Sequence, residues 1–241
     1  MARVIKQAEI RRAEILDAAF KMFIERGFDN TSLNEIIAHA RLSKGMFYHH
    51  FASKEALLEA IFGRITEHTY NILEPVISAK DVDPKSRLQQ LLDRTADIRL
   101  QTVEFTREVF ASLLRPESKL LYQRIGESWT ERMRPVLTKI VEDGVAAGVF
   151  RTEDPEGVGD LILQMEAGSK YLVEQGMLAR TARQRDAAAA VLDKRIKFHA
   201  VALSRILGLP DQTFAIGPDD FAYKFLKALN PLDSPAVKAT Q

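Results

Sequence analysis

Two serines set eleven positions apart, Ser32 and Ser43, leave room between them for a helix of barely two turns, and the apolar residues after Ser43 run out just as quickly. Ser32 stands three residues before Glu35, an arrangement in which the hydroxyl serves an orphan backbone N–H and the carboxylate reaches back to the cap. This spacing predicts a helix from Leu33, with Leu33, Ile36, Ile37 and Ala40 on one face. Ser43 predicts a second start, before Met46, Phe47, Tyr48 and Phe51. Isolated helices under about 12 residues are marginal in water, so both need neighbours to clamp them. Upstream, Ile15, Leu16, Ala19, Phe20 and Phe23 form an apolar stripe that Gly27 closes as the left-handed residue, with Phe28 folding back onto Phe23 as in a Schellman close. Downstream, Ser53 caps a longer helix carrying Leu57, Leu58, Ile61, Phe62 and Ile65. The result is a four-helix unit over roughly residues 10–70, in which the helix at 44–50 is the candidate reader of a DNA major groove.

Residues from Arg11 to Phe62 resemble the DNA-binding domain of the tetracycline-repressor (TetR) family of bacterial regulators. The resemblance is carried by Ile-Leu-Asp-Ala-Ala at 15–19, Phe23, Glu25-Arg26-Gly27-Phe28, Thr31-Ser32, Ile36 to Ala38, Ser43-Lys44-Gly45, Phe47-Tyr48-His49-His50-Phe51 and Ser53-Lys54-Glu55-Ala56-Leu57. Family members usually carry Gly in the turn where this chain has Arg41, and Arg pays a steric cost there if that position requires positive φ. The resemblance implies an all-α fold, with an N-terminal helix-turn-helix (homeodomain-like) DNA-binding domain and a larger C-terminal helical ligand-binding and dimerisation domain. The expected division is a basic arm at 1–9, the DNA-binding domain at 10–63, the effector and dimerisation domain at 64–229, and a flexible tail at 230–241.

The resemblance also implies roles for individual residues. Thr31, Ser32, Ser43, Lys44, Gly45, Met46, Tyr48, His49 and Lys54 are the candidate DNA-binding positions. Hydroxyls at helix N-termini favour an anion, so Ser32, Ser43 and Ser53 are placed to serve phosphate as well as to cap. Gly45 removes a Cβ where the backbone approaches the bases, and Met46 can set a methyl or thioether against a thymine methyl. Phe47 and Phe51, four apart, face the core.

The net charge of +1, from 34 basic and 33 acidic residues, makes no general case for nucleic acid. Charge is instead local: over residues 1–12, Arg3, Lys6, Arg11 and Arg12 face only Glu9, a balance of +3. With 46% hydrophobic residues in 241 the chain can bury a substantial core. No apolar run reaches the 18 residues of a membrane span, and the N-terminus lacks a signal-peptide core, so a cytoplasmic location is expected. With no cysteine there is no disulfide, thiol nucleophile or Cys-type zinc site.

Beyond residue 65 the pattern stays helical, with no strand signal, over 54–78, 85–115, 118–147 (bent at Pro135), 155–178, 183–207 and 219–228. Asp154-Pro155 reads as a cap followed by Pro at the first helical position, and Gly144 with Gly148 closes the preceding helix. Leu161, Ile162, Met165, Gly168 and Leu172 share a face, as do Leu192, Ile196, His199, Leu203 and Ile206 at nearly heptad spacing. Amphipathic faces of this kind fit core packing within one chain as well as a partner, and it is the resemblance, which implies a two-half-site reader with a twofold partner, that makes a homodimer through helices near 155–178 and 183–207 the expectation. Phe105, Val109, Phe110, Trp129, Met133, Met165 and Tyr171 are the candidate lining of a small-molecule effector site, with Glu104, Arg107, Gln164 and Glu166 as its polar groups. In the family the helix from Ser53 bridges the two domains, and a ligand acts on DNA through it.

No His-x-x-x-His pair, P-loop, Gly-x-Ser-x-Gly or Gly-x-Gly-x-x-Gly is present, so no catalytic residue, metal site or cofactor is expected. The expected function is a ligand-responsive transcriptional regulator, a dimeric repressor released from a palindromic operator by a small molecule. Two alternatives remain: a constitutive or architectural DNA-binding dimer without effector, and an all-α enzyme with dispersed catalytic residues.

Overall fold

A computed structural model of the protein describes residues 2–104, 106–107, 119–230 and 232. Among these residues there are ten helices and no strand: α1 (Ala2–Arg26), α2 (Leu33–His39), α3 (Lys44–His50), α4 (Lys54–Ile77), α5 (Pro84–Gln101), α6 (Lys119–Ala146), α7 (Pro155–Ala167), α8 (Lys170–Met177), α9 (Ala182–Ile206) and α10 (Phe221–Leu229). They fall into two compact units, Met1–His68 with Arg107–Ser128, and Thr69–Thr106 with Trp129–Gln241.

Several starts follow from a local cap. The Ser32 hydroxyl accepts from Glu35 N–H while the Glu35 carboxylate accepts from Ser32 N–H at 2.8 Å, the full reciprocal box. Ser43 accepts from Met46 N–H at 3.2 Å and Ser53 from Ala56 N–H at 3.1 Å. Asp83 and Asp154 cap α5 and α7, each followed by a proline whose missing N–H costs nothing there.

The helix ends explain the glycines. Gly27 closes α1 at φ 82°, its N–H donating to Phe23 C=O at 2.9 Å, and Phe28 folds back onto Phe23 with ring centroids 5.1 Å apart. Full Schellman closures end α2, α6 and α9, with Arg41, Gly148 and Gly208 as the left-handed residue. Arg41, at φ 53°, is the one non-glycine with positive φ among the described residues. The left-handed region costs an ordinary L-residue about 1–2 kcal/mol, so the steric cost anticipated for Arg at this turn is present. At Gly144 the requirement is space, since a Cβ would lie 2.0 Å from the Phe150 ring.

The first unit buries Ile15, Leu16, Ala19, Ile36, Phe47 and Leu57 almost completely, and Arg64 of α4 pairs with Asp17 of α1 at 2.7 Å. In the second unit one core gathers Leu73, Leu88, Leu137, Ile140, Phe150 and Leu203. A second core, around Leu172, Ala189, Leu192, Phe225 and Leu226, seats α10. The α10 exit is fixed by Asn230, whose side-chain amide donates to the carbonyls of Gly176, Met177 and Ala179, while its own backbone carbonyl accepts from the buried Arg185. The other buried arginine, Arg87, pairs with Asp143, which Lys139 also contacts at 2.8 Å.

Two expectations change, and a third falls partly outside the described residues. Residues 2–9 continue α1 as helix rather than forming a separate arm. The helix expected over 155–178 breaks at Gly168-Ser169, where the Ser169 hydroxyl bonds back to Met165 C=O and competes with the helical ladder. The helix expected over 85–115 is described as α5 to Gln101, capped by Thr102; its last residues lie outside the described part.

Candidate nucleic-acid interface

The turn between α2 and α3 joins two helices of seven residues with opposite electrostatics at their starts. In α2 the first turn contains Glu35, whose negative charge complements the helix dipole. Two hydrogen bonds from Ser32, with the Arg26 guanidinium 3.4 Å away, hold that carboxyl below the usual carboxylate range. In α3 the first turn contains no acid and begins with Lys44, a cation at the positive end of the dipole. Nothing among the described residues answers the Lys44 charge with a hydrogen bond or ion pair.

One face of α3 is fixed and the other is open. Phe47 is fully buried and Phe51 nearly so, with their rings 5.8 Å apart, as the four-residue spacing requires. Arg12 of α1 lies over the Phe51 ring at 5.1 Å, a contact between distant parts of the chain that no local spacing signals. Ser43, Lys44, Gly45, Met46, Tyr48 and His49 are exposed, with Met46 at 45% and Tyr48 at 55%. A Cβ on Gly45 would meet nothing within 4 Å, so no packing inside the chain demands a glycine there, although it weakens the helix by up to about 1 kcal/mol relative to Ala. His50 is half-buried beside His49, and its imidazole is held below its ordinary pKa by burial first, then by electrostatic repulsion from His49, Arg12 and Arg11.

Two candidate contacts are instead structural. Thr31 is fully buried, and its hydroxyl donates to Gly27 C=O at 2.8 Å, so its side chain has no surface to offer DNA. Lys54 turns inward: its ammonium donates to Phe28 C=O at 2.9 Å and Thr31 C=O at 3.1 Å and lies 4.1 Å from the Phe28 ring centroid. At most one of its three donors remains for a phosphate. Ser32 is exposed, but Glu35 holds both its hydroxyl and its amide.

The candidate effector residues scatter. Phe105, Val109 and Phe110 lie outside the described residues. Met133 belongs to the first core of the second unit and Trp129 packs against it, so these two come together. Met165 is half-buried near the α7 break, and Tyr171 is 46% exposed on α8, its hydroxyl 3.4 Å from the Arg195 guanidinium, which removes it from an interior lining. Glu166 pairs with Arg99. Among the described residues no three His, Asp or Glu side chains converge as metal ligands, and no helix is long and apolar enough to cross a membrane.

Residues 15–61 match the family model described as bacterial regulatory proteins, tetR family, and residues 84–191 match the tetracyclin repressor-like C-terminal domain. The chain is 31% identical over 158 residues to the HTH-type transcriptional repressor NicS of Pseudomonas putida, covering 61% of this chain and 69% of that one. The chain belongs to the TetR family. It is also 26% identical over 157 residues to the repressor KstR2 of Mycobacterium tuberculosis, covering 64% of this chain and 76% of that one. A crystal structure of a TetR-family regulator from Pectobacterium atrosepticum shares the fold with a TM-score of 0.57, at 20% identity over 85% of this chain and 98% of that chain. TetR-family members are transcriptional regulators and not enzymes, so this chain is a ligand-responsive, DNA-binding regulator.

Proposed function

We propose that the protein is a dimeric repressor that grips a palindromic operator with the outward face of α3 and leaves it when a small molecule binds the second unit. The observation that carries this reading is the contrast across one seven-residue helix: Phe47 fully buried on one side, and Lys44, Gly45, Met46, Tyr48 and His49 exposed on the other. Lys44 and Tyr48 supply phosphate contacts, the bare Gly45 backbone lets the helix sink into the groove, and Met46 meets a base edge. Ser43 adds a hydroxyl at the point of entry.

Dimerisation through α7, α8 and α9 is supported by a face other than the one the heptad spacing suggested. Leu172, Leu192 and Leu203 are buried within their own chain, so they are not free for a partner. Val191 and Phe198, seven apart on α9, are 49% and 65% exposed, and Arg195 between them reaches Tyr171 of α8. A twofold copy of that strip would cover large apolar side chains that a lone chain leaves in water. The half-sites then lie about 34 Å apart, or a multiple of that. For release, α4 is the natural carrier, because it contributes Lys54–His68 to the first unit and its remaining turns to the second. Coupling of about 1–3 kcal/mol would change operator affinity roughly 5- to 150-fold.

Selection of duplexes from a random-sequence library by the purified protein tests the proposal, with sedimentation run alongside. The expected result is an imperfect palindrome bound by a species of twice the chain mass, reduced to single-chain mass by Phe198→Glu. Absence of any selected duplex, or a strictly single-chain species that still binds a palindrome tightly, contradicts it.

A further inference from the structure

We propose that Arg41 is a DNA-phosphate contact in its own right, retained at a strained backbone position because its guanidinium is needed on the reading side of the helix turn. At φ 53° it occupies the same left-handed closing position that Gly148 and Gly208 fill at φ 70° in the other two Schellman ends, so glycine is the residue the backbone geometry asks for. An arginine held in a conformation that costs an L-residue about 1–2 kcal/mol is a pointer to function rather than to folding.

The surroundings say what that function is. Arg41 is exposed, and its side chain makes no hydrogen bond, ion pair or ring contact among the described residues. The other arginines of α1 to α4 whose side chains are described are engaged: Arg11 with Glu14, Arg12 with the Phe51 ring, Arg26 with Glu35 and Arg64 with Asp17. Arg41 precedes Ser43 by two residues and Lys44 by three, and no acid occurs from Leu42 through His49. Two unanswered cations therefore flank the start of the reading helix. A planar guanidinium on a long stem suits a backbone phosphate at the edge of the groove, whereas Lys44 acts as a point charge.

The inference rests on α3 meeting DNA, and the test separates the two claims. Anisotropy titrations use a duplex selected by the wild-type protein, over a series of salt concentrations, with Arg41→Gln, Arg41→Lys, Arg41→Gly and, in parallel, Lys44→Ala. Arg41→Gln keeps the backbone cost and removes the charge; it should bind roughly 10- to 100-fold more weakly, with the salt slope shallower by about 1.8, because a dimer loses one phosphate contact in each half-site. Arg41→Lys should keep the slope. Arg41→Gly should lose affinity as Arg41→Gln does while melting above the wild type, the opposite signs that a purely structural residue would not give. If Arg41→Gln binds with unchanged affinity and slope while Lys44→Ala is weakened, the role of Arg41 is overturned and the α3 reading stands. If neither substitution matters, the α3 reading falls and takes this inference with it.

Discussion

Helices α2 and α3 have the same length, the same kind of serine cap and one buried face each, yet α2 closes upon itself and α3 does not. In α2 a carboxylate answers the helix dipole, ties up both polar groups of Ser32 and meets Arg26. In α3 a lysine sits where a carboxylate would be favourable, a glycine sits where nothing touches it, and Met46 and Tyr48 stand in solvent. Exposure alone therefore does not mark a binding face, since Asn34 and His39 of α2 are exposed too. The mark is a local arrangement that is poor for the isolated fold and good for an anionic partner.

The largest effect expected from this contrast is on the shared core. Phe47→Ala should cost about 3–5 kcal/mol in urea unfolding, and because the neighbouring exposed residues depend on that anchor, DNA binding should vanish with the fold. A stable Phe47→Ala variant would show that α3 is held some other way. Next, Lys54→Met should cost about 1–3 kcal/mol, because Thr31 C=O loses its ammonium donor and Phe28 C=O is left with only the Thr31 N–H; a Lys54 whose main task is phosphate contact would give a stable variant with weak binding instead.

Smaller effects separate the two caps. Ser32→Ala and Ser43→Ala should each cost about 1 kcal/mol, with Ser32→Ala the larger because its hydroxyl also bonds the Glu35 carboxylate. The Glu35 carboxyl is held below its ordinary value of 4.5, so the box contributes in full above that pH and is lost as pH falls through the lower folded value. The deficit of Ser32→Ala should therefore shrink below about pH 4.5 in acid titrations of stability, while that of Ser43→Ala stays flat. The smallest stability effect belongs to Lys44→Ala, within about 0.5 kcal/mol of wild type, since nothing described in the chain depends on that ammonium.

The parts legible in the sequence were those set by neighbours a few residues apart. Ser32-x-x-Glu35, Asp154-Pro155, Gly27 and Gly148 marked starts and stops, and the four-residue spacing of Phe47 and Phe51 marked the buried side of α3. Lys54 was misplaced because its acceptors, Phe28 and Thr31 C=O, lie 26 and 23 residues back, and nothing local reveals that a lysine will turn toward them. Thr31 likewise looks like a surface hydroxyl until α1 closes over it. On α9 the 3.6-residue period shows that a face is apolar and not whether it meets its own chain or a partner. Leu192 and Leu203 serve their own chain, leaving Phe198 outside.

The decisive measurement is the affinity of a Lys44→Ala/Tyr48→Ala double variant for a duplex selected by the wild-type protein, taken together with its melting temperature. If the outer face of α3 is the reading surface, melting stays within a few degrees of wild type and binding falls to the level of unrelated duplex. Unchanged binding by a folded double variant would contradict a reading role for α3, and a large drop in melting temperature would mean that these side chains belong to the fold and not to the DNA.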